Sequence, residues 1–154
     1  MSSDEETFRR LLTELRLLEG TADALQNRVN LVSAATTELA FASATMEGLE
    51  KEKKGTPLLV PIGGGSFIKA EVATTETMVV GIGAGVSVET SRDEARQTLE
   101  KRMAELETSR NNLQQQLAQV IAKMRTKRQQ LDEVSVRLSG RRQADDVRKT
   151  KSGT

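Results

Sequence analysis

The 154-residue chain has no cysteine, no histidine, no tryptophan and no tyrosine, and only three phenylalanines, Phe8, Phe41 and Phe67. The missing cysteine and histidine exclude disulfides, thiol nucleophiles, Cys/His metal sites and the commonest general base. Scarce aromatic bulk argues against a single rounded core, because aromatic side chains normally dominate such cores. No apolar run is long enough for a membrane span. The acidic start MSSDEETF has no apolar segment behind it and does not read as a signal peptide. These features lead us to expect a soluble, cytoplasmic protein that does not contact membranes.

Plentiful Leu, Ala, Glu, Gln, Lys and Arg suit an elongated, helix-rich chain. The net charge is +1, unevenly spread. Met1 to Thr90 holds 8 basic and 13 acidic residues, net −5, whereas Ser91 to Thr154 holds 15 basic and 9 acidic, net +6. The halves would attract each other if side by side, and the balance is too small to make nucleic acid an expected partner.

From Phe8 the apolar positions step by three and four: Phe8, Leu11, Leu15, Leu18, Ala22, Leu25, Val29 and Val32, with Thr36, Leu39, Ser43 and Met46 in the same register. This is the seam of a coiled coil. Ser2 or Ser3 stands three residues before Glu5 or Glu6, as in a capping box. Lys51, Lys53, Lys54, Gly55 and Pro57 read as the stop. A second seam follows Ser91: Leu99, Met103, Leu106, Arg110, Leu113, Leu117, Val120, Met124, Lys127, Leu131, Val134 and Leu138, with Gly140 as the natural end. Each helix would have roughly 50 residues and run about 75 Å. Equal lengths and a returning chain favour an antiparallel hairpin over an intermolecular coiled coil. Phe8 then meets Leu138, Leu11 meets Val134, Leu15 meets Leu131, and Lys127 lies opposite Leu18 with its ammonium reaching water.

Between the helices the composition changes. Gly55 to Val88 carries only Lys69, Glu71 and Glu76 as charges, and its apolar runs are short and β-branched. LLVPI, GGGS and FIKAEV read as one β-hairpin, and TMVVGI, GAG and VSVET as a second. GIGAG lacks the G-x-G-x-x-G spacing of a dinucleotide loop, and no Gly-Lys-Ser/Thr suggests a P-loop. Two isolated hairpins in water are marginal, and unpaired edges invite strands from other chains. Ile62, Phe67, Ile68, Val72, Val79, Val80, Ile82, Val86 and Val88 are therefore expected to need cover from other subunits.

The order long helix, two hairpins, long helix, carried by LLVPIGGGSFIKAEV and VVGIGAGVSVE between the heptad segments, resembles the alpha subunits of prefoldin, the archaeal-type GimC family. The resemblance covers roughly residues 5 to 139. It implies an α+β fold, a long antiparallel two-helix coiled coil joined by two β-hairpins that build an oligomeric β-barrel body. The organisation is then 1–54 first coiled-coil helix, 55–90 assembly hairpins, 91–139 second coiled-coil helix and 140–154 disordered basic tail. It further implies an ATP-independent holdase, not an enzyme, without cofactor or metal. Two alpha and four beta subunits assemble, hold non-native polypeptides at the coiled-coil tips and deliver them to a group II chaperonin.

In such an assembly the tips are the start of the first helix and the end of the second. Leu12, Leu17 and Val136 lie off the seams and, with Phe8, Leu11, Leu15, Leu131, Val134 and Leu138, make that end more apolar than two seams require. They are the candidate client-binding residues, although the seam members among them are as readily explained as coiled-coil packing. The alternative function is a structural coiled-coil oligomerisation protein without client binding.

Overall fold

The computed structural model describes residues 3–151. Its elements run in the order α1 (Ser3–Glu50), β1 (Pro57–Gly63), β2 (Ser66–Glu71), β3 (Thr77–Gly83), β4 (Val86–Ser91) and α2 (Arg92–Lys151). The chain divides into two compact units, Met1–Leu31 with Arg110–Thr154, and Val32–Ser109.

The heptad reading holds residue by residue. Every seam position named above is buried or half-buried, and Leu11, Leu25, Val29, Leu99, Leu113 and Val134 are fully buried. In the first unit, ion pairs fix the antiparallel direction. Asp4 meets Arg137 at 3.7 Å and Arg141 at 2.8 Å, Glu14 meets Lys127 at 2.6 Å, and Glu19 meets Arg128 at 3.1 Å. From Asp4 to Glu14 and Glu19 the partners on the other helix drop from Arg137 and Arg141 to Lys127 and Arg128, in a register that sets Leu11 near Val134. Leu11 and Val134 line the same shallow surface hollow. Lys127 reaches outward as its stem packs, and its ammonium ends on Glu14.

The helix ends differ from the expectation in two places. α1 stops at Glu50, so Lys51, Lys53 and Lys54 follow the last turn and do not belong to it. The chain leaves through tight turns in which Lys51 N–H donates to Gly48 O and Glu52 N–H to Leu49 O. Gly55, with φ +86°, serves the hairpin base, its N–H donating to Val72 O at 2.8 Å. α2 does not end at Gly140. It continues to Lys151, so the tail expected to be disordered is helical that far. One helical glycine costs only about 1 kcal/mol relative to alanine, and the Asp4 bonds to Arg137 and Arg141 straddle it. Ser2 and residues 152–154 lie outside the described residues, so the Ser2 version of the first cap does too.

Ser91, the last residue of β4, caps α2, which begins one residue later at Arg92. The Glu94 N–H donates to Ser91 Oγ and the Ser91 N–H donates to the Glu94 carboxylate, each at 3.3 Å. This reciprocal pair satisfies two donors that a helix start leaves unpaired. The Thr90 hydroxyl also donates to the same carboxylate.

Both hairpins form. The four strands make two separate two-stranded antiparallel sheets, β1–β2 and β3–β4. They are near copies displaced by 20 residues: Pro57↔Glu71 through Pro61↔Phe67 in one, Thr77↔Ser91 through Gly81↔Ser87 in the other. Each register shifts once before the turn, between Pro61 and Gly63 and between Gly81 and Gly83. The turn residues, Gly64 and Gly65 in one and Ala84 and Gly85 in the other, all have positive φ. Such two-residue turns match the strand twist. GIGAG is thus a hairpin turn.

Two outcomes test this fold. Ala84 is the one non-glycine with positive φ among the described residues, a conformation costing an L-residue about 1–2 kcal/mol. Ala84→Gly should raise the thermal midpoint, by about 1 kcal/mol in stability, at fixed protein concentration. Hydrogen bonds from the Thr90 hydroxyl, then from Ser91, hold the Glu94 carboxyl below its ordinary 4.5. A depressed folded pKa contributes stability above the unfolded value and loses it as pH falls through the folded one. Wild type should therefore melt above Glu94→Gln at pH 6, and the gap should close as pH drops below 4.5.

Candidate assembly surface and helix-end binding region

The candidate assembly surface is built from strands with too little to cover them. Along β1–β4, Leu59, Ile62, Phe67, Ile68, Val79, Ile82, Val86 and Val88 are exposed; Phe67 reaches 57% and Val79 reaches 72%. All of these except Leu59 were expected to find no shelter in their own chain. Val72 and Val80 do not follow that expectation, since they are buried at 7% and 8%. Both lie beside helix residues, Val72 just past the end of β2 and Val80 in the middle of β3. Val72 lines a hollow with Gly48, Leu49 and Leu58, and Val80 lines one with Leu39, Met46, Met78 and Leu99.

Charged groups tie this region down. Glu50 at the end of α1 takes Arg92 at 3.1 Å and also Arg96. Both arginines lie in the first turns of α2, so one carboxylate anchors both helix ends beside the hairpins. Arg102 donates a hydrogen bond to the carbonyl of Gly81 in β3. In β1, Pro57 and Pro61 have no N–H to offer a neighbouring strand.

The helix-end region lies in the first unit, where the sequence candidates separate into two groups. Leu11 and Val134 are buried, and Phe8, Leu15, Leu131 and Leu138 are half-buried. These six form the interior of the coiled coil. Leu12 is half-buried, while Leu17 at 69% and Val136 at 73% are exposed. Leu17 and Val136 are the two candidates whose apolar surface stands open. Around them the charged network is dense. A hydrogen bond from the Lys127 ammonium holds the Glu14 carboxyl below its ordinary value.

Five exposed apolar residues escaped the sequence reading: Leu59 at 61% and Val60 at 37% on β1, and Leu31 at 72%, Phe41 at 76% and Ile121 at 47% on the helices. The signal that could have found the three on the helices is the one that found Leu17, an apolar side chain outside the three–four register. Phe41 was noticed only as a rare aromatic. Among the described residues, no group of three or more acidic side chains could hold a metal ion, and no helix is long and apolar enough to cross a membrane.

Comparison with known proteins agrees with this architecture. The family model for prefoldin subunits matches residues 18–137. The chain is 33% identical over 105 residues to prefoldin subunit alpha 1 of Thermococcus kodakarensis, covering 68% of this chain and 72% of the relative. It is 35% identical over 106 residues to prefoldin subunit alpha of Pyrococcus horikoshii, covering 68% and 72%. Among solved structures, the filamentous PFD from Methanocaldococcus jannaschii matches with a TM-score of 0.65 and 26% identity, over 74% of this chain and 95% of that one. Prefoldin is a family of chaperones and not of enzymes. With two long helices, twin hairpins and a family match over most of its length, this chain belongs to the prefoldin family as a chaperone subunit related to the alpha subunits.

Proposed function

We propose that this chain works as an ATP-independent holdase subunit in the cytoplasm. Its hairpins join those of prefoldin beta subunits, two copies of this chain with four beta subunits, in a common β-barrel body. The helix ends hold non-native polypeptides and pass them to a group II chaperonin. The observation that carries the reading is a contrast in exposure. The coiled-coil seam is closed along its whole length, yet large apolar side chains stand open on the strands and, at Leu17 and Val136, toward the helix ends. Resemblance to a filamentous assembly further supports a chain that works in company.

The chemistry fits clients of many sequences. Burial of apolar surface is non-directional, so it selects for exposed hydrophobic segments and little else. At about 25 cal/mol per Å², one small patch holds weakly. Several helix ends acting on one client raise the effective concentration and lengthen the hold.

Two sets of variants test the reading. Leu12→Ser, Leu17→Ser and Val136→Ser combined should leave the melting midpoint of the assembled complex nearly unchanged and should weaken its suppression of an unfolded client's aggregation, followed by light scattering. Unaltered suppression would favour a purely structural coiled coil. Leu11→Ala, in contrast, opens a cavity in the seam and should cost about 2–5 kcal/mol of stability, read from urea unfolding, whether or not a client is present.

A further inference from the structure

In the first unit, α1 carries a second regular stripe on the side turned away from its seam. Leu17, Gly20, Ala24, Asn27 and Leu31 repeat the three–four spacing of Leu15, Leu18, Ala22, Leu25 and Val29, each two residues later. Two residues turn a helix by about 200°, so the stripe faces outward. All five are exposed, Leu17 and Leu31 by about seven-tenths, and none is charged. The equivalent positions on α2 in the same unit are Asn112, Gln115, Gln119, Ala122, Thr126 and Gln129, a face that water solvates well. The outward faces of the two helices are therefore of different kinds. Gly20 adds to the contrast. Glycine is a poor helix former, and a Cβ at Gly20 would meet nothing within 4 Å. Nothing inside the chain asks for glycine there, whereas a second helix approaching from outside would use it.

Two charges flank the stripe, Asp23 on one side and Arg28 on the other. Both are exposed, and neither has an ion-pair partner among the described residues. They are five residues apart, with the stripe between them, so on one helix they do not face each other. Across a seam between two parallel helices in register, five residues is the spacing at which flanking charges meet.

We propose that the outward faces of α1 from two copies of this chain pair side by side, parallel and in register, with Asp23 of each copy meeting Arg28 of the other. Leu17 and Leu31 then meet their counterparts at the two ends of the contact. Gly20 and Ala24 let the helices come close between them. Asn27 meets Asn27, and a seam asparagine of this kind fixes register and the number of helices. A slip by one heptad separates the two amides and carries Asp23 away from Arg28. An antiparallel pairing that seats Leu31 over Gly20 puts Asp23 beside Asn30 and Arg28 beside Thr21, and so forfeits both ion pairs. Four leucines are less than a standard interface buries, so the contact suits helices already held near each other more than free chains in dilute solution. It lies on helix, apart from the strands, and goes beyond the function proposed above.

The chain has no cysteine, so one introduced thiol reports one position. In the full chain, Ala24→Cys should be joined to its counterpart by a short bis-maleimide, whereas Gln119→Cys, on the polar face of α2, should not. In the Ala24→Cys background, D23R and R28D should each lower the linked fraction about tenfold, since each turns two attractive pairs into two repulsive ones. Coexpressed D23R and R28D chains should link to each other, and the double variant D23R/R28D should link to itself as its parent does. Circular dichroism checks helix content throughout. Linking at position 24 no greater than at position 119, or single variants that link like the parent, would overturn the proposal. So would a charge exchange that fails to restore linking, the outcome if the stripe seats an antiparallel copy or a different protein. Loss of helix in a single variant is answered by the double variant, whose failure to link when folded also overturns it. Client holding is scored separately, by aggregation suppression in complex with a prefoldin beta subunit, and every variant keeps Leu17. Suppression without linking sinks only the helix contact, and linking without suppression sinks only the chaperone reading.

Discussion

A β-hairpin standing alone has two unpaired edges and two faces, and a two-stranded sheet has too little side-chain surface to hide either. Everything else about this chain is arranged around that deficit. The helices close their own seam, from Leu11 and Val134 in one unit to Leu99 in the other, without help from another molecule. The strands cannot. Val72 and Val80 find cover where each hairpin leans toward helix, but Phe67, Ile68, Val79 and Val88 remain in water. Exposed β-branched strands are a standing hazard for uncontrolled pairing. Prolines on β1 and a guanidinium on the β3 carbonyl reduce that hazard by limiting the edges on offer.

The seam was fully legible in the sequence because its signal is long. Twelve positions on each helix repeat one spacing, and no single substitution such as Arg110 or Lys127 disturbs the period. The strands and turns were legible from a different signal, the glycine-rich pieces GGGS and GAG between short β-branched runs. The cap at Ser91 was legible from Glu94 three residues on. What escaped depended on balances of a kcal/mol or so. Gly140 reads as a stop, yet one glycine is a small penalty against a helix whose neighbouring residues favour helix and whose Arg137 and Arg141 pair with Asp4. The lysines after Glu50 read as a helix end, but the chain had already turned. Burial of Val72 and Val80 depends on which strand positions come to lie beside helix residues, which no local pattern reveals. The exposure of Leu31, Phe41 and Ile121 is visible in the sequence only as a break from the seam.

The twin hairpins show how one backbone plan carries two surfaces. Strand lengths, register shift and turn position agree at an offset of 20 residues. Side chains at equivalent places diverge. Pro61 and Phe67 in the first hairpin correspond to Gly81 and Ser87 in the second, bulk against hollow, and Lys69 corresponds to Glu89. At Gly81 the only side-chain atom within 4 Å of a hypothetical Cβ is Ser87 Oγ at 3.8 Å, so its smallness is not demanded by crowding inside the chain. Backbone geometry gives the strands a common shape, and the divergent side chains give each edge and face its own identity. Two identical hairpins would pair in several ways with nearly equal energy, whereas two complementary ones can favour a single arrangement.

The exposed apolar residues toward the helix ends obey a related logic. Leu17 and Val136 contribute little to closing the seam, because their side chains are about seven-tenths exposed. A polar residue at either place would leave the coiled coil intact, since surface substitutions away from packed features usually change stability by within about 0.5 kcal/mol. Folding therefore does not require leucine or valine there, whereas binding of apolar segments would use them. A patch of one or two such side chains gives only a few kcal/mol before the cost of association is subtracted. One chain alone is then a weak holder. In the proposed assembly, joining through the strands would convert several weak contacts into one intramolecular network, whose strength depends on effective concentration more than on any single contact. On the proposed function the deficit at the hairpins and the weakness at the helix ends are coupled, because an association that covers the strands would also bring together the surfaces that must act jointly.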